Sequence, residues 1–199
     1  MDSIAILVLA AGKSSRMKDI KQLLKIKNKT LLEITLENAL KTNSKNVFCV
    51  LGANADKIKS EIHTENIQFI KNENFEKGLS SSIISGINYF KNRKLYFDGI
   101  FILLADQPAI EVTYLEAMLN LFQTNKDKII ASNYGGKLGV PVIFPVKHFS
   151  DLLLIVGDKG AKEYINNKKS EVLYSKLTTN FFDIDTKEDL LLYKNSILK

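Results

Sequence analysis

Ile4-Ala5-Ile6-Leu7-Val8-Leu9-Ala10-Ala11-Gly12-Lys13-Ser14-Ser15-Arg16-Met17, closed by Lys21, is the stretch on which the reading of this chain turns. Its first part, Ile4 to Leu9, is an apolar run carrying β-branched residues and reads as a buried strand. The run then breaks into small residues, one glycine and basic side chains. A strand ending in a small-residue loop presents backbone N–H groups, and such groups form a cradle for an anion. Lys13, Arg16 and Lys21 add positive charge around it. The anion this predicts is a polyphosphate, with a nucleoside triphosphate as first candidate.

Spacing excludes two other phosphate loops. Gly12-Lys13-Ser14 looks like the end of a Walker A loop, which needs a second glycine five residues before Gly12, and that position is Leu7. The dinucleotide fingerprint needs three spaced glycines where this turn has one.

Working outward, a chain of 199 residues that is 45% hydrophobic suits one domain spanning residues 1–199. The net charge of +6 favours anionic partners. The excess is local: Lys13, Arg16, Lys18, Lys21, Lys25, Lys27 and Lys29 face a single acid, Asp19. No aromatic interleaving or nucleic-acid motif accompanies these charges, so nucleic acid is not an expected partner. The lone Cys49 sits in an apolar strand pattern, and with two histidines, His63 and His148, it cannot complete a closed zinc site. The N-terminal apolar run is too short to span a membrane and lacks a basic leader, which predicts a cytoplasmic protein.

Apolar runs at Val47–Gly52, Ile67–Ile70 and Gly99–Ala105 read as further strands, the last apolar on both faces and so central in a parallel sheet. Strand patterns recur at 129–132, 140–144, 171–174 and 181–184. The pair around Gly135-Gly136 reads as a hairpin insertion or antiparallel edge. Thr30-Leu31-Leu32-Glu33 and Thr113-Tyr114-Leu115-Glu116 match capping boxes that open helices. Helical spacing also covers 56–62, 80–90 and 149–153. Gly157-Asp158-Lys159-Gly160 starts a helix, and Thr186 to Asp189 cap the last one. Strands alternate with helices, which predicts a three-layer α/β fold with a mostly parallel sheet.

In such a sheet ligands bind beyond the carboxyl ends of the strands. The Ala11–Lys21 loop, Asp106 and the pair Asp183/Asp185 all fall there. A polyphosphate beside carboxylates predicts Mg²⁺, which takes oxygen ligands from one or two acids plus the phosphates. Asp106 follows seven apolar residues and meets a cation at the strand end, or else caps the following turn. Alternation along a strand puts Asp183 and Asp185 on one face. Either could be the second ligand, and Asp185 could instead cap the next helix.

Several motifs now occur in order: Leu9-Ala10-Ala11-Gly12-x-Ser14-x-Arg16-Met17 with Lys21, Gly78-Leu79-Ser80-Ser81-Ser82, Leu104-Ala105-Asp106-Gln107-Pro108, Gly139 to Phe144, Gly157-Asp158-Lys159-Gly160-Ala161, and Asp183-Ile184-Asp185-Thr186-x-x-Asp189. Together they resemble the MocA-type molybdenum cofactor cytidylyltransferases, within the MobA-like nucleotidyltransferases of the Rossmann-like GT-A fold. The resemblance runs from end to end of the chain. It implies CTP on the first loop, attack by molybdopterin's terminal phosphate on the α-phosphorus, and loss of pyrophosphate. It further implies Arg16 on the β and γ phosphates, Lys21 on the α-phosphoryl oxygens, and Mg²⁺ on Asp106 with Asp183 or Asp185. Asn72 and Ser80 to Ser82, with Gly78 and Ala105, would flank base and ribose. Gln107, Pro108 and Gly157 to Gly160 would face the acceptor, and a molybdoenzyme would be the client. Related guanylyltransferases carry Gly-Gly where this chain has Ala11-Gly12, so Ala11 favours CTP. The chain departs from the family pattern at Lys18, where glycine is usual, at Lys162, where arginine is usual, and at Lys25 and Asn28, where proline and glycine are common. GTP as donor, a sugar or polyol phosphate as acceptor, and a non-catalytic cofactor-delivery protein are the competing expectations.

Overall fold

Why the N-terminal run decides the architecture is visible in its burial: all seven residues of β1 (Ile4–Ala10) are shielded from solvent. The computed structural model describes residues 3–14, 17, 19–158 and 160–196. After β1 come the short hairpin strands β2 (Lys25–Ile26) and β3 (Lys29–Thr30), α1 (Leu31–Leu40), β4 (Asn46–Leu51), α2 (Ala55–Glu61), β5 (Gln68–Lys71) and α3 (Leu79–Arg93). The chain continues through β6 (Gly99–Leu104), α4 (Val112–Thr124), β7 (Ile129–Asn133), β8 (Leu138–Pro145), α5 (Phe149–Leu152), α6 (Gly160–Asn167), β9 (Val172–Leu173) and α7 (Lys187–Ser196).

Among the described residues the main sheet has the order β5-β4-β1-β6-β8-β7-β9. β1 is parallel to both β4 and β6, with Val8 opposite Cys49 on one side and Leu103 on the other. β8 alone runs against the rest, antiparallel to β6 and to β7. The three-layer α/β fold with a mostly parallel sheet is therefore the observed one. β6 holds the middle of the sheet, as its two-sided apolarity requires.

The period of two along each strand sorts the core into two layers. Ile6, Val8, Cys49, Phe101 and Leu103 face α1, α2 and α4. Leu7, Leu9, Phe48, Val50, Ile100 and Ile102 face α3, α5 and α6. α3 comes so close to β1 that a Cβ on Gly86 would lie 2.6 Å from Leu7 Cδ2. A smaller cluster of Ile26, Leu31 and Ile184 lies under α7.

Three expectations need correction. β8 is not an edge, because it is seated between β6 and β7 and hydrogen-bonds to both. Residues 181–184 form no strand; Ile184 is buried and Phe182 half-buried in the cluster under α7, while Phe181 packs on the rings of Tyr114 and Tyr134. The capping box at Thr113/Glu116 does not form: α4 starts two residues earlier, after Glu111, with no side-chain cap. By contrast Thr30 and Glu33 do form the reciprocal box at the start of α1.

Candidate active site

β1 sits where the chain reverses its direction of travel across the sheet. The strands after it, β4 and β5, go to one side, and β6 crosses back to the other. The crevice at the carboxyl ends of β1 and β6 is thus the switch point at which open α/β sheets bind ligands. The loop leaving β1 is folded around a buried glutamine. Gln22 Nε2 donates to the carbonyls of Ala10 and Gly12 at 2.8 and 3.0 Å, and Ser14 Oγ donates to Gln22 Oε1 at 3.2 Å. Ser14 itself adopts a left-handed backbone, φ 55°, and its hydroxyl accepts the Lys21 N–H. Because the peptide unit is planar, a carbonyl turned toward Gln22 turns the following N–H the other way. That is the orientation an anion cradle requires.

Across the crevice, Lys21 Nζ donates to Asp106 Oδ2 at 2.7 Å and to Asp185 Oδ1 at 2.9 Å. Burial alone would lower the lysine, but the two carboxylates outweigh it and hold the ammonium above its ordinary value. Asp106 Oδ1 is buried and has no hydrogen-bond partner. The backbone joins these parts as well: Ala105 N–H donates to Leu9, and Ile184 N–H donates to Asp106. Asp189 accepts the N–H groups of Asp185 and Thr186 and so caps α7, as expected for Thr186 to Asp189. No strand carries Asp183 and Asp185, so strand alternation does not set their directions. Asp183 Oδ1 instead accepts from Gln107 Nε2 at 2.8 Å.

Asp183 is exposed as a residue, but partial desolvation of its carboxyl raises it, with Asp106 and Asp185 adding to the effect, against the Gln107 hydrogen bond and Lys21. A carboxyl raised above its unfolded value favours folding only when protonated, so at neutral pH its charge costs stability. Asp183→Asn should therefore be at least as stable as the unaltered protein at pH 7. The difference should close as the pH falls into the carboxylate range, which thermal melts at several pH values would read.

The crevice opens into a cleft of about 280 Å³. Of the residues singled out from sequence, Leu9, Ala10, Ala11, Gly12, Ser14, Lys21, Gly78, Ser82, Ala105, Asp106, Asp158 and Asp185 line it. Lys13 is drawn outward into an ion pair with Glu76. Asn72 is fully buried and acts as a brace, donating to the hydroxyls of Ser81 and Ser82 and accepting from Asn74 N–H. Ser80 and Ser81 are buried behind the wall. Gln107 and Pro108 are buried beside Asp106 rather than open to the cleft. Gly157 and Asp158 meet the start of α3: Asp158 Oδ1 accepts Leu79 N–H at 2.9 Å and Gly157 accepts Ser80 N–H. Gly78, at φ 92°, leaves room for that approach, since a Cβ there would lie 2.7 Å from Asp158 Oδ1. Gly160 opens α6. Ser15, Arg16, Lys18 and Lys159 lie outside the described residues.

Sequence reasoning missed Gln22 and Phe75 in the lining, and gave no role to Met17, Leu79 and Leu104, which stand in its motifs. It also missed Gly52, on which Phe75 rests: a Cβ at Gly52 would lie 2.5 Å from Phe75 Cβ and 2.8 Å from the Ala11 carbonyl. Gly52→Ala must push the first loop or Phe75 away, and should cost about 1–3 kcal/mol of stability along with nucleotide affinity. Denaturant unfolding together with nucleotide titration would show both losses.

Other chemistry is absent from the described residues. No group of three His, Cys, Asp or Glu is arranged to hold a metal by protein ligands alone. Cys49 is fully buried, and burial pushes its thiol far up, so it is not a nucleophile. No described helix is long and apolar enough to cross a membrane.

A phosphate-type loop after the first strand and acids at the switch point, on this sheet, define a nucleotidyltransferase of the GT-A-like fold. The chain belongs to the MobA-like NTP transferase family, whose domain profile matches residues 6–172. It is similar to the purine catabolism protein PucB of Bacillus subtilis, 30% identical over 191 residues, covering 91% of each chain. The fold is shared with Rv0371c of Mycobacterium tuberculosis in its complex with manganese, at a TM-score of 0.81, 24% identity, and 98% and 99% coverage. It is shared also with a cytidylyltransferase from Leptospira borgpetersenii, at a TM-score of 0.77, 20% identity, and 100% and 87% coverage.

Proposed function

We infer that this nucleotidyltransferase moves CMP from CTP to the terminal phosphate of molybdopterin, releasing pyrophosphate. The observation that carries the transfer is the Lys21 ammonium held between Asp106 and Asp185 at the mouth of the first loop. The loop N–H groups, with Arg16, bind the β and γ phosphates. Lys21 offsets the charge that grows on the α-phosphoryl oxygens, in a partly desolvated place where it acts strongly. A phosphate monoester is already ionised at neutral pH, so no histidine or cysteine base is needed to activate the acceptor.

A divalent cation fits the donor set. Asp106 offers a buried oxygen with no partner, and Asp185 offers a second carboxylate beside it. Oxygen donors of this number suit Mg²⁺, which keeps waters and takes phosphates as its remaining ligands. Once bound, the ion would supply charge neutralisation between nucleotide and acceptor. The manganese in the Rv0371c structure supports a divalent ion of this type.

The choice of CTP is supported by Ala11, which lines the cleft where a glycine would leave a purine closer approach. Molybdopterin as acceptor rests on the ordered motifs, and PucB's name sets that relative in purine catabolism, a setting we carry over to a molybdoenzyme client. The test is a panel of the four nucleoside triphosphates with Mg²⁺ and molybdopterin, read by pyrophosphate and by dinucleotide product. Release with CTP and molybdopterin is expected. Preference for GTP would overturn the donor, turnover only with a sugar or polyol phosphate would overturn the acceptor, and cofactor binding without pyrophosphate would make the chain a delivery protein.

A further inference from the structure

Asp185 reaches the cleft on a segment, residues 177–185, that has no regular secondary structure. Something other than a ladder must hold it opposite Asp106. Ile184 supplies one tie, through its fully buried side chain and its N–H to the Asp106 carbonyl at 3.0 Å. Gln107 supplies the other. Its Nε2 donates to Asp183 Oδ1 at 2.8 Å and to the Tyr134 hydroxyl at 3.1 Å. Tyr134 gives its own proton to the Val140 carbonyl, so its oxygen is free to accept. Both N–H bonds of the amide therefore have acceptors. Turned over, the amide would set its carbonyl against a carboxylate and against a hydroxyl whose proton is already used. The orientation is fixed by its surroundings. At 3% exposure Gln107 presents almost no surface to the cleft.

Resting on the reading of the cleft as a metal and nucleotide site, we propose that Gln107 and Asp183 are positioning residues. Their hydrogen bond clamps the 183–185 segment so that Asp185 stands across from Asp106, and Asp183 is not itself a metal ligand. Two successive residues then set both acids: Asp106 through its own carboxylate, and Gln107 through the neighbour it holds. The clamp also needs an amide at 107, since a carboxylate there would repel Asp183.

The full-length chain would be studied by two readouts. Hydrogen exchange in a peptide covering 181–186 reads the clamp, and Mn²⁺ titration with CTP, followed by electron paramagnetic resonance, reads the site. Asp183→Asn still accepts through its amide oxygen, and should keep slow exchange and unaltered Mn²⁺ affinity. Gln107→Glu sets charge against charge, and should speed exchange and weaken Mn²⁺ binding about tenfold. The double variant Gln107→Glu with Asp183→Asn reverses donor and acceptor between 107 and 183 while leaving the Tyr134 contact unmet, and should recover a large part of both relative to Gln107→Glu. A merely structural Gln107 would lower the melting temperature without moving Mn²⁺ affinity in the folded protein. Loss of Mn²⁺ in Asp183→Asn as complete as in Asp185→Asn would make Asp183 a ligand and overturn the proposal, as would unchanged exchange in Gln107→Glu. Exchange that follows the clamp pattern while even the unaltered protein binds no Mn²⁺ with CTP would place the failure in the reading of the cleft, and would overturn the clamp's role in metal binding with it.

Discussion

Asp106→Asn should lower turnover about a thousandfold while the protein remains folded. The substitution keeps shape and removes charge. Asp106 Oδ2 is one of two carboxylate oxygens on the Lys21 ammonium, and Oδ1 is the buried oxygen left without a partner. An amide at 106 can still accept from Lys21, but its NH₂ must then occupy the Oδ1 position, where it offers a cation a donor in place of a lone pair. Stability should change by only about 1–2 kcal/mol, because Lys21 retains Asp185. Pyrophosphate release and a denaturant titration on the same preparation separate the two effects. A variant with normal turnover would remove Asp106 from the site.

Lys21→Met should produce a loss of about a hundredfold or more in turnover. Methionine approximates the length of the stem but carries no charge, so nothing offsets the developing charge on the α-phosphoryl oxygens. The pH dependence of stability gives an independent check. The ammonium is held above its ordinary value, so its contribution to folding is fully present below the unfolded lysine value and is lost as the pH rises through the raised one. The stability gap between the unaltered protein and Lys21→Met should then be constant across neutral pH and close only in the alkaline range. Melting temperatures from pH 6 to beyond the lysine range measure it. A gap that closed at neutral pH would mean that the acids do not hold the ammonium as described.

The parts of this molecule that were legible in the sequence are those governed by local rules. Ile4–Ala10 and Gly99–Leu104 are buried runs between breaks, and Thr30/Glu33 satisfies each other's backbone within one turn. Thr113/Glu116 has the same spelling and does not cap. Ile110 is buried, and its N–H is tied to the Gln107 carbonyl, and the helix begins two residues earlier than the motif asks. Phe181 to Ile184 has a strand's composition, but its burial comes from ring packing, Phe181 against Tyr134 at 4.2 Å, and from α7 above it. In the cleft, Lys21, Asp106 and Asp185 could be found because charge at a strand end or after an apolar run is costly without a purpose. Gln22, Gly52 and Phe75 could not, because each acts on backbone carbonyls or side chains that only the folded chain brings near. The direction of Asp183 was hidden for the same reason, since its partner lies 76 residues away.

The Lys21 ammonium is joined to Asp106 across 85 residues and to Asp185 across 164. A ribosome making this protein therefore delivers the first loop long before the second of the two carboxylates. Until that carboxylate has left the exit tunnel, the nascent polypeptide has a nucleotide cradle but an incomplete charge balance. A nascent chain that has passed Asp106 but not yet Asp185 holds the ammonium by one acid alone, so the two-acid arrangement forms only after the intervening strands and helices have been made.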